Sequence, residues 1–409
     1  MLLVKDAEAI IFNLLQPLDQ KQDIEVVDLL NGHNRILANP VISRLDFPHW
    51  DNSAMDGFAV RYGDVKEARA ENPIILEVVE EIPAGYQPKI TIQPGQAARI
   101  FTGAVMPAGA DTVVMQERTR WEENRVFILA APQFQEFVRH QGDFYQGGNE
   151  LLPSGTRLTA TEIAVLGAVQ CNKLSVFRRL RVAIFSTGDE LVTPEQSLQP
   201  GQIVDSNQLA LAALVRELGG EPLMLGIVKD DPKALGEIIQ YAIAHADLVL
   251  SSGGVSVGDY DYIDGILASL GAEIHFRAVQ MRPGKPLTFA TFPNVLYFGL
   301  PGNPVSALVS FWRFVQPTIK RLSGITEGYK PMWMKVRSRS ELKSNGKLET
   351  YICGKLHLID GVYEFHQAGG NHSSGNLINL TQTNALAILP VGTTLVSPQQ
   401  EVLILALRY

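Results

Sequence analysis

The sequence predicts a multidomain chain of mixed α/β and β class, in which one α/β domain with a parallel sheet is joined to β-rich parts. Three observations give this reading. At 409 residues the chain exceeds what one ordinary core holds, so roughly two to four domains are expected. Residues 179–325 alternate strand-like apolar runs with helical patterns, the signature of βαβ units. Residues 46–140 and 326–409 instead carry short β-prone runs between turn residues, in keeping with 35 Gly and 23 Pro.

Along the chain, residues 5–17 predict a helix, with Asp6 as a capping residue and Ile10, Ile11, Leu14 and Leu15 as its apolar stripe. Residues 24–45 predict a short strand or helix and then an extended stretch ending near Asp46-Phe47-Pro48. Over 46–140, Ile74 to Val79, Ala98 to Phe101 and Thr112 to Met115 read as strands of a small β domain. Residues 141–178, with a helical pattern at Thr161 to Leu166, return to the part begun at 24–45. Strands are predicted at Val182 to Phe185, Leu223 to Val228, Leu248 to Leu250 and Val295 to Phe298. Helices are predicted over 206–218, 232–244, after the glycine-rich loop at 253–258, and over 304–321. In the last part, Trp333 to Arg337 and Val402 to Leu405 alternate as strands of a compact C-terminal β domain.

Bulk properties exclude several classes. A composition of 46% hydrophobic and 19% charged residues is that of a globular protein, not a disordered one. A formal net charge of -8 argues against general nucleic-acid or anionic-membrane binding, which needs a basic face. Cys171 and Cys353 are far apart with no metal-ligand spacing, so neither a disulfide framework nor a zinc site is implied and a reducing compartment fits. The first residues lack the apolar run of a signal peptide, and no stretch approaches the length of a membrane span. A cytoplasmic setting is expected.

In an open α/β sheet, ligands bind at the carboxyl ends of the strands. Here those ends carry Ser186-Thr187-Gly188-Asp189-Glu190, Lys229-Asp230-Asp231-Pro232, Ser251 to Asp261, and Gly299 to Ser306. Glu190, Asp230 and Asp261 could therefore gather on one rim, and grouped carboxylates suit Mg²⁺. The plainer reading is helix capping, and Asp231-Pro232 looks like a helix start. Gly253 and Gly254 let backbone amides approach an anion, but the loop matches neither a P-loop nor a dinucleotide fingerprint. Arg282 and Lys285, three apart across a turn, could hold an oxyanion together with Ser306 and the amides of a helix opened by Pro304. Asp51 to Gly57 is too polar for a core strand; the bland alternative is an Asx-rich turn. No Ser–His or Cys–His nucleophile arrangement is visible.

Taken together, Asp51 to Gly57, Phe101-Thr102-Gly103-Ala104, Val113 to Glu117, Ser186 to Leu191, Asp205-Ser206-Asn207, Ser251 to Gly258, Pro283-Gly284-Lys285-Pro286 and Gly299 to Ser306 closely resemble the molybdopterin molybdotransferase family, MoeA and the E domain of gephyrin. The resemblance implies an elongated four-domain subunit in a homodimer. Domain I would be discontinuous (24–45 and 141–178), domain II the small β domain (46–140), and domain III a three-layer molybdopterin-binding α/β domain (1–23 and 179–325). Domain IV would be a C-terminal β-barrel-like domain (326–409). The implied reaction takes molybdate and adenylylated molybdopterin, with Mg²⁺, and yields molybdenum cofactor and AMP.

Carried onto this sequence, the resemblance makes Asp56 and Thr102 β-region residues that face the cleft of the partner subunit. It makes Glu190, Asp230 and Asp261 acidic groups near Mg²⁺ or the adenylate phosphates, beside Gly253 and Gly254, and Arg282 a basic catalytic residue. Lys285, Pro286, Ser306 and Ser374 match the molybdate pocket, with Pro301 and Pro304 shaping its loop. The chain departs from the family pattern at Phe144, which follows Asp143 where a second acid is common, at Ala278, and near Cys353, where an Arg is common. Two other functions share this fold: molybdopterin adenylyltransferase activity, and a non-enzymatic scaffold or carrier of the cofactor. A molybdopterin adenylyltransferase and recipient molybdoenzymes are the implied partners. The adenylyltransferases usually carry Gly-Gly-Thr-Gly where this chain has Gly253-Gly254-Val255-Ser256.

Overall fold

The computed structural model describes residues 1–254, 262–369 and 373–407. Its largest core belongs to a six-stranded sheet in the order Glu221–Val228, Arg181–Thr187, Leu248–Ser252, Leu296–Leu300, Pro286–Thr291, Glu273–Ala278. The first four strands are parallel. Pro286–Thr291 runs against both of its neighbours, so the sheet is mixed and not wholly parallel as expected. The reason is local. Phe292 N donates to Val295 O (2.8 Å), closing a tight hairpin, and a connection that short can only join antiparallel strands.

Side chains alternate across this sheet. Val182, Ile184, Leu248 and Leu250 pack with Leu211, Ala212 and Val215 of the helix Asn207–Glu217. Ala183, Phe185 and Val249 pack on the opposite side with Leu235, Ile239 and Ala242 of Pro232–His245 and with Ile263 and Leu267. Helices on both faces make three layers. The N-terminal helix Val4–Asn13 adds Val4, Ala7 and Ile11 to the first of these cores. It is shorter than expected and Asp6 lies in its first turn, with Leu3 at the N-cap position. Pro17 follows closely, and the residue before a proline disfavours helix.

The helix predicted over 304–321 exists but changes winding. Pro304–Ser310 is α, Phe311–Val315 is π, and Gln316–Leu322 is α again. Pro317 explains this: it offers no N–H to the carbonyl one turn back, and its ring would clash there.

Residues 24–177 form two further units. Ile24–Asp28 pairs antiparallel with Lys173–Phe177, and Val41–Ile42 with Glu150–Leu152. Beside them the helix Ala160–Ala168 begins with a reciprocal capping box between Thr159 and Glu162. Between these segments lies a six-stranded sheet ordered Thr112–Met115, Gly57–Val60, Gln96–Ile100, Ile74–Ile82, Arg125–Ile128, Thr119–Glu122. In the C-terminal part five strands close into a barrel, because Glu349–Ile359 pairs with both Val362–Gln367 and Ala385–Leu389. The short strand Met281–Arg282 pairs in parallel with Glu349 and Thr350, tying the α/β domain to this barrel.

Candidate active site

Two adjoining cavities lie at the carboxyl ends of the parallel strands and share Pro286, Pro301 and Asn303. The first, about 590 Å³, is centred on the switch point of the sheet, where the connections from Arg181–Thr187 and Leu248–Ser252 diverge. Glu190, Asp230, Gly253, Gly254 and Pro304 all line it. Asp230 is fixed by the hydroxyl of Thr187, which donates to its Oδ1. The neighbouring Asp231 does the structural job: its Oδ2 accepts from Ala234 N (2.9 Å) and caps the helix ahead of Pro232. Gly253 has φ +93°, and a Cβ there would sit 2.3 Å from Thr187 O. The chain can turn this close to the neighbouring strand only as glycine.

The second cavity, about 720 Å³, lies between the α/β domain and the barrel. The α/β side supplies Arg282, Lys285, Pro286, Pro301 and Ser306. Arg282 is presented by the strand pair that joins the two domains. Among the described residues neither Arg282 nor Lys285 is paired with a carboxylate. The far wall carries Lys343, Ser344, Asn345, Thr350, Tyr351 and Cys353, and Ser374 completes the rim. Burial pushes the Cys353 thiol up to about 12, so at neutral pH it is a protonated, apolar wall group. Tyr351 is also raised, first by burial, and its OH donates to Glu349 Oε1 (2.5 Å) and accepts from Arg313 Nε (3.1 Å). Arg313 in turn donates to Glu8 Oε1 (2.8 Å). The π segment therefore turns an arginine from the long helix under the cavity wall, linking the N-terminal helix to the barrel.

One expectation about the anion site is corrected. The amides at the start of the helix at Pro304 are not all available, because Pro304 has no N–H and Val305 N donates to Ser374 O (3.1 Å). The helix start thus holds the Ser374 loop in place, and the oxyanion donors on this side include the Ser306 side chain and the Arg282 and Lys285 cations.

Asp56 and Thr102 line neither cavity of their own chain. They do meet each other: Thr102 donates from both its backbone N and its Oγ1 to Asp56 Oδ1, each at 2.7 Å. The amide first, and then the hydroxyl, hold the exposed Asp56 carboxyl below its ordinary range. Asp261 and the loop from Val255 lie outside the described residues. Among the described residues no three acidic, His or Cys groups converge as a metal cage. Two carboxylates on one cavity wall still fit Mg²⁺, which takes one or two of them together with phosphate oxygens. At the departures from the family pattern, Cys353 falls within the cavity wall, whereas Asp143 and Phe144 do not.

Residues without an assigned role also reach the site. Ser186, Asn207 and Ser252 line the smaller cavity. Asn207 belongs to a motif named above, but only the packing of its helix on the sheet brings it to the strand ends. Apart from Ser374, the barrel wall of the larger cavity carries no sequence signal, since its residues are spread over 341–353 and 367–379.

Residues 2–169 match the family described as MoeA N-terminal region (domain I and II). Residues 183–321 match the probable molybdopterin binding domain, and residues 335–407 the MoeA C-terminal region (domain IV). The chain is 67% identical to the molybdopterin molybdenumtransferase of Nostoc sp. over 99% of its own length and 93% of that protein's. It is 37% identical to the Synechococcus elongatus protein of the same name, over 90% of this chain and 91% of the relative. A solved molybdopterin biosynthesis MoeA structure from Pyrococcus horikoshii superposes with TM-score 0.85 at 26% identity, covering 99% of this chain and 100% of that one. The two cavities therefore sit on a fold shared from end to end with these proteins, and the chain belongs to the molybdopterin molybdenumtransferase family, whose members are transferases.

Proposed function

We propose that this protein inserts molybdate into adenylylated molybdopterin with Mg²⁺, releasing AMP and molybdenum cofactor. One observation carries the reading: a cation-bearing cavity and a carboxylate- and glycine-bearing cavity adjoin across Pro286, Pro301 and Asn303. A small oxyanion suits the first and the adenylylated pterin the second, so the reacting groups would meet at the shared wall. Arg282 and Lys285 screen the charge of molybdate, and Ser306 donates to its oxygens. Glu190 and Asp230 would hold Mg²⁺, which when bound supplies positive charge against the pyrophosphate. The chain's own contribution is placement: holding both substrates in one cleft couples metal insertion to phosphoanhydride cleavage by proximity.

Asp56 and Thr102 belong to the same proposal through a homodimer, in which they face the cleft of the partner subunit. That they line neither cavity of their own chain supports that arrangement. The same reading places the protein in the cytoplasm, receiving substrate from a molybdopterin adenylyltransferase and passing cofactor to molybdoenzymes. AMP release from adenylylated molybdopterin is measured with and without molybdate and Mg²⁺. Release should depend on both and fall at least about a hundredfold in Lys285→Ala and Asp230→Ala, as for loss of one preorganised electrostatic group. Unchanged release in both variants refutes the assignment.

A further inference from the structure

The strand that presents Arg282 is tied into a closed circuit of hydrogen bonds that runs through the N-terminal helix. Gln280 N donates to Leu2 O (2.7 Å), and Glu349 N donates to Gln280 O (3.1 Å). Tyr351 OH donates to Glu349 Oε1 (2.5 Å) and accepts from Arg313 Nε (3.1 Å). Arg313 Nη1 donates to Glu8 Oε1 (2.8 Å), and the helix Val4–Asn13 leads from Glu8 back towards Leu2. Gln280 lies directly before Met281–Arg282, the strand that pairs with Glu349 and Thr350.

The turn between the two cavity cations is held as closely. Val279 N donates to Lys285 O (3.0 Å) and closes it. A Cβ at Gly284 would lie 2.7 Å from Ser310 Oγ, so the turn presses on the long helix about one turn before Arg313. Arg282 and Lys285 thus stand on a turn seated against the helix whose arginine completes the circuit. Neither Glu8 nor Arg313 lines either cavity, so any effect they have on the site is exerted through placement. A buried ion pair returns little net stability after desolvation. A chain of charge-assisted bonds instead fixes geometry.

From this circuit we infer that Glu8, Arg313 and Tyr351 are positioning residues that set where Arg282 stands across the larger cavity, and so tune its affinity for the oxyanion. The inference rests on the proposal that this cavity takes molybdate.

Molybdate binding to the full-length protein is measured by calorimetry, and AMP release gives the KM for molybdate and for adenylylated molybdopterin. Tyr351→Phe removes the hydroxyl that bridges Glu349 and Arg313 and should weaken molybdate binding about tenfold, the scale of a hydrogen bond to a charged group. Glu8→Gln keeps the shape of its contact and should weaken binding less; it serves if Tyr351→Phe folds poorly. In both, the KM for adenylylated molybdopterin should stay close to that of the parent protein. Arg321→Ala, on the same long helix but outside the circuit, should leave molybdate binding unchanged. The coupling measurement separates placement from general loosening: in an Arg282→Ala background, Tyr351→Phe should have no further effect, because the group it places is gone. Additive losses, an equal rise in both KM values, or full affinity in Tyr351→Phe and Glu8→Gln alike overturn the positioning role and leave the cation site standing. Molybdate affinity intact in Arg282→Ala itself overturns the cation assignment and this inference together.

Discussion

Gly253 and Gly302 both line the smaller cavity, yet a methyl group added at each should have very unequal consequences. At Gly253 the backbone has φ +93° and the new Cβ would lie 2.3 Å from Thr187 O. The left-handed conformation costs an L-residue about 1–2 kcal/mol, and forcing a packed carbonyl aside adds about 1–3 kcal/mol. A total of about 2–5 kcal/mol follows for Gly253→Ala from those two terms. Thr187 is the residue whose hydroxyl holds Asp230, so much of the displacement reaches the carboxylate wall. At Gly302 the nearest atom to a new Cβ is Gly253 Cα at 3.6 Å, an ordinary contact. Gly302→Ala should therefore change stability by less than about 0.5 kcal/mol, as at an unconstrained site. Thermal denaturation and AMP release are measured on both variants. Gly253→Ala should melt several degrees lower or lose most of its activity, while Gly302→Ala melts with the parent protein. Equal stability of the two variants, or a larger loss in Gly302→Ala, refutes the close-approach argument.

Other outcomes follow from the same geometry. Glu8→Ala leaves the 4%-exposed Arg313 side chain without its carboxylate and should cost about 2–3 kcal/mol, below the usual cost of breaking a fully buried pair because Glu8 is partly exposed; chemical denaturation measures it, and an unchanged midpoint contradicts the network. Cys353, pushed up to about 12 by burial, should be about one part in ten thousand thiolate at pH 8, so a thiol reagent added to the folded protein should label Cys171 ahead of it; rapid labelling of Cys353 argues against its burial. Thr102→Ala removes the hydroxyl that helps hold the Asp56 carboxyl below its ordinary range, so the carboxyl should titrate at higher pH, as carbon-detected NMR can follow. The sign is that of a depressed acid: the Asp56–Thr102 bonds stabilise the fold above the ordinary carboxylate range and are lost as pH falls through the lowered value. In Thr102→Ala that loss should begin at higher pH.

The sequence by itself determined the elements with strong local signals. The βαβ alternation over 179–325, the Pro304 helix start, the Asp231-Pro232 cap and the turn at Gly253-Gly254 depend on periodicity and backbone chemistry within a few residues. The strand-end rule was enough to bring Glu190, Asp230, Gly253 and Gly254 to one cavity, while the family resemblance pointed to Lys285, Ser306 and Ser374, which line the other. Only the tertiary structure decided the rest. The antiparallel strand Pro286–Thr291 depends on a hairpin closing, and the π segment on the steric demand of Pro317 inside a long apolar run. The barrel wall at Lys343 to Cys353 meets the Arg282 loop through a strand pairing between residues nearly seventy positions apart. Asn207 reaches Ser252 and Gly302 through its side-chain amide only because distant segments bring all three together at the strand ends. Pairing partners, burial and hydrogen-bond satisfaction are properties of distant segments brought together, and local sequence carries no record of them.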